Sequence, residues 1–374
     1  MVTTSALPRP KELQRPRDLR SLTGLRWIAA FVVFGYHLTL FQYFAGGSAA
    51  ALWYLFAEGV SGVSFFFVLS GFVLAWNAHA GDSAILFWRR RVARIYPVHL
   101  VTALLALALG LALVPALFPR SVFGFIANLF LLSSWRSSWW QVGNPVSWSL
   151  VVEAFFYLCF PLIFRILAPL RARALYILTA VMVLIVILLG TSNNFVGLPI
   201  TSNSFPLARL PEFVIGIAVA LLVRNGKWHG PGVLVAGLIA VAGYAVELKA
   251  PDSFRFAACT IIGFTLVIPA LAKFDLSERK SILSGRVMVR LGELSFAFYM
   301  IHVIILFTAR VFIGYPRLSL FPGLALTAGV FAIALGAALL LNVFVENPGR
   351  RLILRKSKRE RIDGNPDSLI AQLP

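Results

Sequence analysis

The chain is dominated by continuous apolar runs of about 20 residues, separated by short polar segments. An α-helix rises about 1.5 Å per residue, so a run of that length matches a hydrocarbon layer about 30 Å thick. A soluble helix would carry an apolar stripe, and a membrane β-strand would alternate over about ten residues. Composition agrees: 59% of the 374 residues are apolar and 13% charged, whereas soluble domains carry about 25% charge. Mean hydropathy is +0.84. The sequence therefore predicts an all-α integral membrane protein. It excludes a water-soluble enzyme, a disordered chain and a nucleic-acid-binding domain.

Ten spans are read: Leu25–Phe44, Gly59–Trp76, Val98–Phe118, Val146–Phe164, Ala174–Leu189, Phe205–Val223, Gly230–Val246, Phe256–Ala272, Leu291–Phe312 and Phe321–Val345. Val122–Leu132 is too short to cross and reads as a re-entrant or interfacial helix. Three parts follow. They are an N-terminal tail (1–24), a ten-helix membrane domain (25–345) and a basic C-terminal tail (346–374). No cleavable leader and no attached soluble domain is read.

The net charge of +19 is explained by topology. With the N-terminus inside, and Arg26 counted with its tail, the cytoplasmic segments hold 27 Lys and Arg against 6 outside, with Arg209 in the sixth span. Cytoplasmic loops are enriched in these residues, so both termini are expected in the cytoplasm and the chain in a bacterial inner membrane. Two external loops, Ser133–Asn144 and Thr191–Ser204, are rich in Trp, Ser and Asn. They read either as interfacial anchors or as an acceptor-binding platform. Cys159 and Cys259 lie inside apolar runs, which suggests core filler. No metal site is read, and no permanently bound cofactor.

Ionisable side chains inside a span are costly and point to function. His37 lies about 18 Å along the first span, and Glu153 lies about 20 Å from the inner face in the fourth. Equal depth allows a base–orienter pair, in which Glu153 fixes the imidazole tautomer. It also allows a structural bridge between helices. Arg26 sits at the cytoplasmic mouth of the first span, as a phosphate contact or a snorkelling anchor. Arg91 and Arg94 share one helix face, and paired guanidiniums grip phosphate. His302 reaches a similar depth in the ninth span. Tyr36, Trp148, Ser149 and Tyr299 are further candidates for the same cavity.

These residues fall in recognisable segments. LRSLTGLRWIAAFVVFGYHL, with Arg26 and His37 separated by ten residues, resembles the opening of the membrane acyltransferase 3 family. FFFVLSGFVLAW resembles its second helix, and FWRRRVARIYPVHL its Arg-x-x-Arg motif at Arg91 and Arg94. NPVSWSLVVEAFFY places its acidic residue at Glu153, and LGELSFAFYMIH and VENP are similar to its late helices. The likeness spans nearly the whole chain and is to the stand-alone type, without an SGNH esterase-like domain. It implies O-acyl transfer, commonly of acetyl, from acyl-CoA to a hydroxyl of a carbohydrate or glycosylated natural product. His37 would then be the general base or a transient acyl carrier, Glu153 its orienter, and Arg26, Arg91 and Arg94 the grip on CoA phosphates. The rival class is a secondary transporter of a small anionic or glycosidic solute, but no internal repeat between the two halves supports it.

The charge asymmetry makes a direct prediction. A cysteine placed at Ser202 should react with an impermeant thiol reagent in intact cells, and labelling only after lysis would overturn the ten-span topology.

Overall fold

The computed structural model describes residues 18–79, 81–191, 203–250 and 257–354. Twelve α-helices form among the described residues: α1 (Arg20–Leu40), α2 (Gly46–Phe56), α3 (Ser61–Asn77), α4 (Ala84–Ala112), α5 (Val122–Leu129), α6 (Trp148–Leu167), α7 (Ala172–Thr191), α8 (Pro206–Arg224), α9 (Val233–Glu247), α10 (Ile261–Leu276), α11 (Arg286–Ile313) and α12 (Leu320–Leu341). No strand forms among these residues, as expected where lipid offers the backbone no hydrogen-bond partner.

A helix runs through each of the ten expected spans, and α5 occupies the short Val122–Leu132 segment. Seven helical stretches are long and apolar enough to cross a membrane. The α2–α3 pair counts as one of them, and α12 with its extension to Leu354 as another. The seven do not include α1, which carries Arg20, Arg26 and His37, nor α9 and α10, which have 15 and 16 residues. Two boundaries differ from expectation. α4 starts at Ala84 instead of Val98, so the arginine cluster lies within the helix. α2 falls where a loop was expected, because its 11 residues are too few to cross a membrane and Gly46 and Gly47 at its start weaken the helical signal of the alanines that follow.

Close packing depends on small residues, because lipid supplies no hydrophobic drive between helices. α3 meets α8 where Gly71 and Gly216 face each other. A Cβ on Gly216 would lie 1.9 Å from the Val68 carbonyl oxygen, and one on Gly71 2.1 Å from that of Phe213. α1 meets α11 at Gly292, where a Cβ would lie 1.9 Å from the Thr23 oxygen. The start of α1 is fastened by Asp275, which accepts from the Ser21 amide at 2.8 Å and from its hydroxyl at 2.5 Å. This carboxylate satisfies donors left open at the helix N-terminus.

After α12 the helix widens into a π-turn over Asn342–Glu346 and continues to Leu354. Asn342 donates to Glu346 at 3.0 Å across the turn. This extension lies on α4, where the Arg89 guanidinium donates to the Ile353 carbonyl at 3.1 and 3.2 Å.

The packing predicts that Gly216→Ala lowers the unfolding temperature in detergent, at a cost of roughly 1–3 kcal/mol for overpacking against rigid backbone. Gly329→Ala on α12, whose added Cβ meets nothing within 4 Å, should be neutral or stabilising. Equal destabilisation by the two would remove the close-approach argument.

Candidate active site

Five helices converge on one cavity of about 190 Å³. α1 contributes Arg26, α3 Ser70, α4 Arg91 and Arg94, α6 Ser149, Glu153 and Tyr157, and α11 Tyr299. Arg91 and Arg94 sit three residues apart and share a face of α4. The Arg91 guanidinium lies 5.8 Å from the Phe87 ring centroid and 5.9 Å from that of Tyr157. Its Nε is buried without a hydrogen-bond partner. The Trp88 indole donates to the Tyr157 carbonyl at 2.9 Å and so ties α4 to α6. The lining carries three guanidiniums against the single carboxylate of Glu153. Such a surplus of partly buried cation suits an anion with more than one charge.

Glu153 faces this arginine group. Its Oε1 accepts from the Ser70 hydroxyl at 3.1 Å and from the Tyr157 hydroxyl. No hydrogen bond or ion pair joins Glu153 to His37 among the described residues, so the expected base–orienter pair is corrected. Depth alone placed the two groups together, but depth does not fix the face of the helix on which each lies.

His37 has a different partner. Its Nδ1 lies 2.9 Å from the Val33 carbonyl oxygen and 3.2 Å from Nε2 of His302. Nδ1 of His302 in turn lies 2.7 Å from the Tyr299 carbonyl oxygen. A carbonyl only accepts, so each Nδ1 carries a proton. Nε2 of His302 is then free to accept from His37. In the neutral ring, Nε2 of His37 holds a bare lone pair with no hydrogen-bond partner among the described residues. His302 is fully buried, packed at 5.8 Å against the Phe298 ring and at 6.1 Å against that of Phe34.

The remaining sequence candidates divide. Ser149 and Tyr299 line the cavity, and their hydroxyls lie 2.8 Å apart. Tyr36 stands edge-on to His37 at 5.2 Å, outside the lining. Trp148 also lies outside it, buried near Phe67 and Trp140. Tyr157 and Ser70 were missed. Tyr157 follows Glu153 by one helical turn, and that spacing was the available signal. Arg209 in the sixth span is buried, 3.1 Å from Glu212 and 2.8 Å from the Ser64 hydroxyl.

Within Ser133–Asn144 the side chains of Ser133, Ser134 and Asn144 are buried, whereas Arg136, Ser138 and Gln141 are exposed. Asn144 donates to the Met300 carbonyl at 2.7 Å, and Ser134 to that of Trp148 at 3.1 Å. Most of the Thr191–Ser204 loop lies outside the described residues.

The apolar helices and this cavity define a helical membrane protein with a polar, arginine-lined interior site. Residues 19–343 match the Acyl_transf_3 acyltransferase domain, so the chain belongs to that family and is an acyltransferase. It is 39% identical to Acyltransferase MdmB of Streptomyces mycarofaciens, over 96% of this chain and 98% of that protein. It is 28% identical to O-acetyltransferase OatA of Staphylococcus aureus over 44% of this chain, and 28% identical to Peptidoglycan O-acetyltransferase OatA of Listeria monocytogenes over 38%. These matches cover 28% and 23% of the two OatA proteins. No solved structure matches. Family membership decides against the transporter alternative, and with the apolar helices it makes this a multi-pass membrane protein.

Proposed function

We propose that the protein transfers an acyl group, acetyl in the first instance, from acyl-CoA to a hydroxyl of a carbohydrate or glycosylated natural product. The single observation carrying the donor assignment is the cavity lining of Arg26, Arg91 and Arg94 against one carboxylate. Guanidiniums hold phosphate through paired, charge-assisted hydrogen bonds. Arg26 and His37 are eleven residues apart on α1, or about 16 Å along the helix. That separation suits a long donor whose reactive carbonyl lies far from its phosphates. The full reading has ten spans, cytoplasmic termini and a place in a bacterial inner membrane, with the arginine cavity opening inward. The basic segments, including Arg89 to Arg94, support this orientation.

The chemistry follows from the tautomer. Nε2 of His37 takes the proton of the acceptor hydroxyl as its oxygen attacks the thioester carbonyl. The new C–O bond forms and the C–S bond breaks. The proton then passes from Nε2 to the departing thiolate, giving ester and free thiol. Throughout, the Nδ1 proton stays between Val33 and His302, which holds the ring in one orientation. Glu153 acts as the resident counter-ion of the arginines. The apolar packing around the histidines keeps water from the thioester.

The first test is incubation of membranes with labelled acetyl-CoA and candidate glycans or glycosides. Arg91→Ala or Arg94→Ala should weaken CoA binding to the purified protein by roughly 1.5–3 kcal/mol each, with partial rescue by Lys. Arg90, which is exposed, serves as the control for bulk charge. Arg89 does not, because it holds Ile353. Equal loss in Arg90→Ala would reduce the cluster to a diffuse basic patch.

His37→Ala and His37→Gln should both lower transfer roughly 10²–10⁴-fold, with CoA binding unchanged. His302→Leu should lower turnover roughly tenfold or more by releasing the ring. His302→Gln, whose carbonyl accepts from Nδ1, should recover much of it. Equal activity of the Leu and Gln variants would make His302 packing alone.

A further inference from the structure

A second cavity, of about 460 Å³, opens at the other end of α1 from Arg26. Leu38 and Thr39 of α1 line it, together with Gln42 and Tyr43 of the following turn, Ala49 and Trp53 of α2, and Arg317. His37 itself lines neither cavity; it immediately precedes Leu38 and lies within about 3 Å of axial rise of Thr39, at the same end of α1. None of the arginine-cavity residues is shared with it.

The walls are built rather than incidental. The turn after α1 is clasped to the segment after α11 by two backbone hydrogen bonds, Ala45 N–H to the Leu318 oxygen and Leu318 N–H to the Tyr43 oxygen, each 2.9 Å. Gln42 and Arg317, neither of them glycine, hold left-handed backbone at φ 52° and 41°. Such conformations persist where the surroundings enforce them, and they gather at binding sites. The Tyr43 hydroxyl is buried without a hydrogen-bond partner, a state that calls for an explanation.

The lining chemistry narrows the occupant. Trp53 offers an aromatic face, with the buried Tyr43 ring behind the wall, and Ala49, Ala50 and Leu52 an apolar wall. Thr39, Gln42 and Arg317 offer hydrogen bonds, and the lining contains no carboxylate. Arg317 is exposed, so water screens its charge and the site does not need an anion to balance it; a cationic ligand would meet that charge with no carboxylate in the lining to offset it. We infer that this cavity binds the acceptor, a neutral glycoside carrying an apolar group, and delivers its hydroxyl to the His37 end of α1. The inference rests on the acyl-transfer reading and adds where, and in what form, the acceptor is held.

The test uses the full chain in lipid nanodiscs, with p-nitrophenyl β-D-glucopyranoside as the probe, because the nitrophenyl group quenches a nearby indole. Wild type should show saturable quenching, and Trp53→Phe should lose that component. Ala49→Trp, which fills the cavity, should raise the half-saturating concentration at least roughly tenfold. CoA binding by Ala49→Trp should remain at the wild-type level, which shows that the variant is folded. Arg91→Ala should show the reverse pattern, with CoA binding weakened and glycoside binding kept. Absent quenching, or quenching unchanged in Ala49→Trp, overturns the assignment. So does equal quenching by p-nitrophenyl octyl ether, which would make the cavity a lipid groove. Normal glycoside binding without acetyl transfer to any glycoside would instead count against the acyl-transfer reading alone.

Discussion

The parallel register of α1 against α11 sets the position of every group proposed to react. Gly292 meets Thr23 near the start of both helices, with no room for a side chain between them. Further along, the Trp27 and Phe298 rings lie 5.1 Å apart, and Phe41 and Phe307 also 5.1 Å. Between these contacts His37 meets His302 at 3.2 Å. A slip of one residue would turn either helix by about 100° and separate the imidazoles. Close backbone packing at the glycine thus fixes a hydrogen bond several turns away. The Asp275 contacts to Ser21 reinforce it by fastening the start of α1 to the end of α10.

A second constraint is charge. Three guanidiniums line a cavity inside a membrane protein, where isolated charge is expensive. Glu153 offsets part of that cost, and Ser70 and Tyr157 satisfy its Oε1. The aromatic rings of Phe87 and Tyr157 lie beside Arg91 and add a weaker attraction. The site is therefore stable as a partly neutralised cluster that still has capacity for a polyanion.

Much of this was legible in the sequence. Run length located the helices, because the thickness of a hydrocarbon layer sets the length of an apolar helix directly. Arg91 and Arg94 were placed on one face by a spacing that a helix enforces. The orientation of Glu153 was not legible, because a one-dimensional depth leaves the helix azimuth free. Its true neighbours Ser70 and Tyr157 lie on the facing helix and one turn on, and nothing in the apolar runs around them sets that rotation. α2 escaped notice for another reason. It is too short to cross a membrane and opens on two glycines, and it is held by its packing on α1 and by the Tyr244 hydroxyl, which donates to the Leu55 carbonyl at 2.9 Å. His302 was read without a partner, since its contact with His37 spans 265 residues of chain.

The histidine pair also explains why a carboxylate need not orient the base. A carboxylate beside His37 would bring a further buried charge to a region packed with Phe34, Phe298 and Phe331 rings. Such a charge costs several kcal/mol unless it is paired. A carbonyl and a second neutral imidazole hold the Nδ1 proton without that cost. The carboxylate is placed instead among the arginines, where it balances existing charge. On the proposed mechanism the imidazolium formed during transfer then has no adjacent counter-ion. Its proton is released readily to the departing thiolate, which favours a concerted hand-over over a long-lived cation.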